Sequence, residues 1–152
     1  MKKAAFVPIN FEVPAVLETE SFRLRMLSVE DVEKDYEAVI ESRGLLHSMF
    51  GGPWPREGFT LRENLDDLER HQMEFLARKA FAYTVVSLDE SRVLGCVYIN
   101  PAREIDADAV VVLWVRQSEY DRGFYPVLFQ AVKGWISSVW PFASVAYPGR
   151  EE

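Results

Sequence analysis

A single cysteine, Cys96, in 152 residues excludes an intramolecular disulfide framework and a cysteine-based zinc knuckle, and it fits a reducing compartment. Histidine is almost as scarce. His47 and His71 lie far apart in the chain, and His71 with Glu74 offers two ligands on one helical face where a metal site needs more. Basic residues are outnumbered, 17 Lys and Arg against 24 Asp and Glu for a formal net charge of -7. That balance argues against nucleic acid as a partner, because neutralising a phosphate backbone takes clustered cations. No apolar run approaches the length of a membrane span. The start, Met1-Lys2-Lys3, meets Pro8, Asn10 and Glu12 before any signal-peptide core develops. A cytoplasmic protein with no membrane partner is the expectation. No fixed-period repeat and no low-complexity tract occurs.

What is present is enough apolar residue, 49%, to bury the core of one domain. Residues 1–152 are therefore read as a single unit with an extended lead-in over 1–19. "SFRLRML", residues 21–27, alternates apolar and polar side chains and predicts a half-buried strand. Ser28 and Asp31 resemble a capping box, and Val29, Val32, Tyr36, Val39 and Ile40 then predict a helix from about Val29 to Ser42, ending at Gly44. "GGPWP", residues 51–55, has to be a loop. Thr60 and Glu63 form a second capping box for a longer helix to about Lys79. "FAYTVVSL" and "RVLGCVYIN" read as two strands joined across Asp89-Glu90-Ser91, with Gly95 marking a bulge or a close backbone neighbour. "AVVVLWV", residues 109–115, has the unbroken β-branched character of a strand at the middle of a sheet. A helical stripe follows from Val127 to Val139, with Pro126 expected at its first position, and "ASVAY" makes a last short strand. The order is β-α-α-β-β-β-α-β, an α/β arrangement of α+β type with a mainly antiparallel, mixed sheet flanked by helices.

This order, with "LETESFRLRMLSVEDVEKDYEAV" near the start, resembles the GCN5-related N-acetyltransferase (GNAT) superfamily, and the opening is similar to the branch that acetylates ribosomal-protein N-termini. The resemblance covers residues 18 to about 147. Its second carrier is "VLWVRQSEYDRGFYPVLFQAVKGWI", similar to the family's strand, Gly-containing loop and helix that hold acyl-CoA. There Gly123 falls on the first loop glycine and Leu128 on an apolar helix position. The segment departs from the pattern at Tyr120, Asp121, Tyr125 and Pro126: Pro126 has no N–H, Tyr125 adds bulk, and Asp121 repels phosphate. The chain also reads as C-terminally short, without a position matching the tyrosine that protonates the leaving thiolate in many members.

The resemblance implies acetyl-CoA as co-substrate, no metal, and direct attack by an amine of a small molecule or peptide. It places backbone groups near Trp114, Val115 and Arg116 beside the thioester and pantetheine arm, and Arg122, Gly123 and Phe124 at the pyrophosphate. Trp54 stands where the family shapes its acceptor pocket, as a wall or as a plain loop anchor. Tyr98 and Asn100 are weak catalytic candidates, set against roles as a cross-strand aromatic and a turn former before Pro101. Glu104, Asp106 and Asp108 would bind a cationic amine or form a solvated loop. Cys96 reads as a buried, inert thiol. Two further expectations stand beside the enzyme: a catalytically silent binding module of the same fold, and a homodimer covering the final strand's open edge.

Overall fold

The half-buried alternation of residues 21–27 forms strand β2 (Phe22–Met26), and a shorter strand, β1 (Val16–Glu18), pairs antiparallel with it. The lead-in is thus partly strand: three residues too short and mixed to show a period become ordered by pairing with β2. The computed structural model describes residues 5–103 and 106–149.

Ser28 begins a single 3-10 turn, Val29–Asp31, in which its Oγ accepts from the Glu30 N–H and Asp31 accepts from the Ser28 N–H at 3.2 Å. Helix α1 (Val32–Glu41) follows and breaks at Ser42, after which α2 (Arg43–Phe50) continues to Gly51. Gly44 lies inside α2 and does not stop the helix. An interior glycine weakens a helix by under about 1 kcal/mol, whereas Gly51, at φ +71°, adopts the left-handed conformation that ends one. Helix α3 (Leu61–Leu76) starts on the reciprocal Thr60–Glu63 capping box.

Strands β3 (Phe81–Ser87), β4 (Val93–Pro101) and β5 (Ala109–Val115) are antiparallel neighbours, and the sheet runs in the order β1-β2-β3-β4-β5-β6. Only β6 (Val145–Ala146) is parallel to its neighbour, matching Ala109 and Val110 of β5. The middle of the sheet is therefore β3 and β4, and β5 is next to the edge. Its apolar run reports helices covering both faces, which hydrophobicity can show, and not its hydrogen-bonding position, which it cannot. Gly95 is a close approach: a Cβ there would sit 2.9 Å from Val115 Cα and collide with the Trp114 carbonyl. The register also shifts between Val85 and Val86, opposite this glycine.

After β5 come a short helix, α4 (Gln117–Asp121), and the long α5 (Phe124–Val139). Pro126 is the third residue of α5 rather than the first, still within the turn where a missing N–H is tolerated. Two apolar layers sandwich the sheet. Leu128, Val132, Trp135 and Ile136 of α5 pack on Tyr83, Val97, Val111, Leu113 and Val115. On the other face Ala38, Val39, Leu46 and Leu68 cover Ala82, Cys96 and Trp114. No helix is long and apolar enough to cross a membrane among the described residues.

Candidate functional site

Alternation along β4 and β5 turns Tyr98, Asn100, Val110 and Val112 toward α1 and α3, and there they line a cavity of about 800 Å³. Helix α3 contributes Asn64, Asp67, Arg70, His71 and Glu74 at the three- and four-residue spacing that keeps one helical face turned inward. Asp35 enters from α1, Phe50 from the last residue of α2 and Trp54 from the loop after it. Two weak sequence candidates, Tyr98 and Asn100, are thus brought together with Trp54. Asp108 is not: its carboxylate accepts from the N–H groups of Ala143 at 2.7 Å and Ser144 at 3.3 Å, and it holds β6 against β5. Asp106 is exposed and does not line the cavity. Glu104 lies outside the described residues.

Tyr98 is held in place by its neighbours. Trp114 Nε1 donates to its hydroxyl at 3.0 Å, and His71 stacks on its ring with centroids 5.2 Å apart. Burial pushes the Tyr98 phenol up, so it stays protonated across physiological pH. Burial, with Arg70 adding to it, lowers His71 to about 4, which leaves a neutral imidazole. Trp114 is a core residue whose indole orients Tyr98, and Trp54 meets it edge-on at 6.4 Å.

The carboxylates differ in their compensation. Arg70 lies 3.9 Å from Asp67 and 3.8 Å from Glu74. Asp35 is 4% exposed, and its Oδ1 has no hydrogen-bond partner. Burial first, and the charge of Asp31 second, push its carboxyl up to about 7, with the Asn64 amide opposing the rise. Sequence reading passed over Asp35 because it looks like one polar residue among several on an amphipathic helix. Only the fold shows that its side of α1 meets α3. Cys96 is buried, its thiol pushed well up by desolvation, as expected of an inert thiol.

Beside the cavity, β5 has an open edge. The Arg116 N–H donates to the Leu94 carbonyl at 2.9 Å, so the two-residue alternation of an antiparallel ladder also directs the Trp114 N–H to β4. The same alternation turns the Leu113 and Val115 N–H groups the other way, where β6 no longer pairs with β5. Of the three expected backbone positions, Val115 is the one whose N–H is directed away from β4, and the residue itself is buried.

The segment after β5 is more built than its sequence indicates. Arg116, 3% exposed, donates through Nε to Glu41 Oε1 at 3.1 Å and through Nη1 to the Val93 carbonyl at 3.0 Å. Glu41 Oε2 accepts from the Ser118 N–H at 2.7 Å, and Ser42 Oγ accepts from the Gln117 N–H at 2.9 Å. The bond from Arg116 leads the causes that hold the Glu41 carboxyl down near 2. The first donors of α4 are therefore taken by the protein itself. Those of α5 are differently disposed: Gly123, at φ +87°, serves as its N-cap, and Pro126 has no donor. Arg122 is exposed and lies 3.3 Å from Glu119, which also pairs with Arg92 at 3.1 Å. Asp121 accepts from Gln117 Nε2 at 2.9 Å. Tyr125 turns its ring into the core instead of over the turn, and Phe124 packs edge-on against Phe22. Among the described residues no group of three or more His, Cys, Asp or Glu could hold a metal ion.

No family profile and no curated protein sequence matches the chain. Solved structures do. A Vibrio cholerae protein assigned as a ribosomal-protein-serine acetyltransferase superposes with a TM-score of 0.63 at 15% identity, over 79% of this chain and 65% of that one. RimL, a ribosomal alpha-N-protein acetyltransferase in complex with coenzyme A, gives 0.63 and 15% over 80% and 67%. The microcin self-immunity acetyltransferase MccE, in complex with acetyl-CoA and AMP, gives 0.63 and 14% over 84% and 70%. This chain spans about 65% of the length of the first of these. At such identities the likeness establishes the fold: a six-stranded, mostly antiparallel sheet flanked by helices, as in GNAT acetyltransferases.

Proposed function

We propose that this GNAT-fold chain transfers an acetyl group from acetyl-CoA to a primary amine seated in the cavity between α1, α3 and the β4–β5 pair. The reading is carried by one observation: β6 leaves β5 beyond Val110 without a strand partner, and Val112 of that stretch lines a polar cavity. A linear amide-bearing arm can add to such an edge as a strand would, through the Leu113 and Val115 backbone. The Val115 N–H then lies at the thioester end, where a fixed donor stabilises the developing oxyanion. The coenzyme A in the RimL complex and the acetyl-CoA in the MccE complex belong to neighbours of the same fold and support the choice of donor.

The residues present fit that ligand with one shift of emphasis. Glu41 and Ser42 take the N–H groups of Ser118 and Gln117, so the pyrophosphate is assigned to the start of α5: the Gly123 turn and the Phe124 backbone, with exposed Arg122 as counter-charge. Arg116 acts from beneath, through its ion pair with Glu41, and shapes the turn without reaching the ligand. Acetyl-CoA supplies the activated acyl carbon. Trp54 forms the outer wall of the acceptor cavity, and Tyr98 and Asn100 are its polar lining on β4. The acceptor is an amine of a small molecule or of a peptide.

Calorimetric titration with acetyl-CoA tests the donor half. Saturable binding weakened at least tenfold by both Arg122→Ala and Gly123→Trp is the expected result. Absence of binding at millimolar ligand overturns the proposal and leaves a fold that binds something else.

A further inference from the structure

We infer that Asp35 is the group that receives the ammonium of the acceptor and takes its proton, being a buried carboxylate on the cavity wall whose Oδ1 has no partner. This rests on the acyl-transfer reading above and names its acceptor chemistry. The other cavity carboxylates have their own cation: Arg70 bridges Asp67 and Glu74 at 3.9 and 3.8 Å. The titratable groups that face Asp35 are Asp31 from the turn before α1, Asp67 from α3, and Cys96 and Tyr98 from β4, and none is a cation. Asn64, on α3, is the neutral neighbour. A buried carboxylate costs several kcal/mol unless it is paired or protonated. A primary ammonium entering the cavity supplies the missing partner.

Desolvation and the neighbouring carboxylates also make Asp35 a base of suitable strength, with its carboxyl at about 7. General bases work best when their pKa lies near the working pH. The acceptor R–NH3+ gives one proton to Asp35 Oδ1. The freed lone pair forms a C–N bond to the acyl carbon of the acetyl thioester, and the C–S bond breaks. Sulfur leaves with the bonding electron pair and takes a second proton from nitrogen. The products are the N-acetyl amide, the free thiol and protonated Asp35, which returns its proton to water. The aromatic wall of Phe50 and Trp54 favours a slender acceptor whose amine leads into the cavity.

The test compares wild type with Asp35→Asn, which keeps the shape and removes the charge. Butylamine, spermidine and an unblocked tripeptide serve as acceptors, with thiol release followed from pH 5.5 to 9. Thermal melts check that both proteins are folded. Expected are a loss of about a hundredfold or more in kcat/KM for the amine, disappearance of the wild-type rise through pH 7, and an unchanged KM for acetyl-CoA. Equal activity and equal pH profiles in the two proteins overturn the role of Asp35 while leaving acyl transfer standing. If wild type neither binds acetyl-CoA nor releases thiol, the acyl-transfer reading fails. Titration of the carboxyl by carbon NMR with the same three amines then decides. A Kd at least tenfold weaker in Asp35→Asn supports the ammonium site, and no shift of the Asp35 signal with any of them overturns it.

Discussion

Asp35 and Gly95 show how single residues carry consequences beyond their own element. The folded-state pKa of Asp35, about 7, lies above its ordinary value of 3.8. Its contribution is therefore favourable below pH 4 and is lost as pH rises through 7. Asp35→Asn is expected to be more stable than wild type at pH 8 by about 2 to 4 kcal/mol, with the difference closing near pH 3, as read from urea unfolding at both pH values. His71 works in the opposite sense. Its pKa is depressed to about 4, so its contribution is present above its unfolded value near 6.5 and fades as pH falls toward 4. Below pH 6, His71→Gln should lose less stability on acidification than wild type. At Gly95 the Trp114 carbonyl and Val115 Cα, both backbone, occupy the place of a side chain. Gly95→Ala is accordingly expected to cost roughly 3 kcal/mol or more, measured by chemical denaturation. A glycine inside an apolar strand already signals close approach. An aspartate on a helix with several other acids signals nothing until the neighbouring helix is in place.

At the level of elements, the junction of α1, β5 and α4 is the most consequential. Glu41 ties the Arg116 guanidinium to the first turn of α4, and the two reach each other across 75 positions of sequence. Removing one partner of a buried pair leaves the other uncompensated. Glu41→Ala should therefore destabilise the protein by about 1 to 2 kcal/mol, less than the loss of a buried pair, because Glu41 is exposed and Glu37 also lies 3.6 Å from Arg116, and it should quicken amide exchange at Gln117 and Ser118. Unchanged exchange there would show that the clamp does not hold the turn. Local signals were legible wherever chemistry is local: both capping boxes, the alternation of β2, the stripe of α5. The segment over 116–123 was not, because short helix α4 is held by Glu41 and Ser42 from another helix, and no spacing within "RQSEYDRG" encodes that. The same distance explains why the burial of the Arg116 side chain against Glu41 is not legible in the sequence. Nor does the sequence show that Tyr125, bulky beside a glycine turn, packs its ring into the core.

For the whole molecule, the sheet order follows sequence order, with a single parallel step at its edge. Because β6 pairs only with Ala109 and Val110, the remainder of β5 has no strand partner on that side, and Val112 within it walls the cavity. Strands β2 to β6 and helices α1, α3 and α5 were readable from the sequence, β1, α2 and α4 were not, and the GNAT fold entered through the resemblance over residues 18 to about 147. The rank of β5 within the sheet was not, since burial on two faces and pairing on two edges are independent properties. Nor was the cavity, whose walls come from α1, α3 and two strands. The measurement that tests this account most directly is thiol release on mixing the wild-type protein, acetyl-CoA and a primary amine. The account predicts saturable release that needs both substrates, rises with pH through 7 and yields the N-acetylated amine by mass. Acetyl-CoA that stays intact with every amine tried, in a protein shown to be folded, would contradict it.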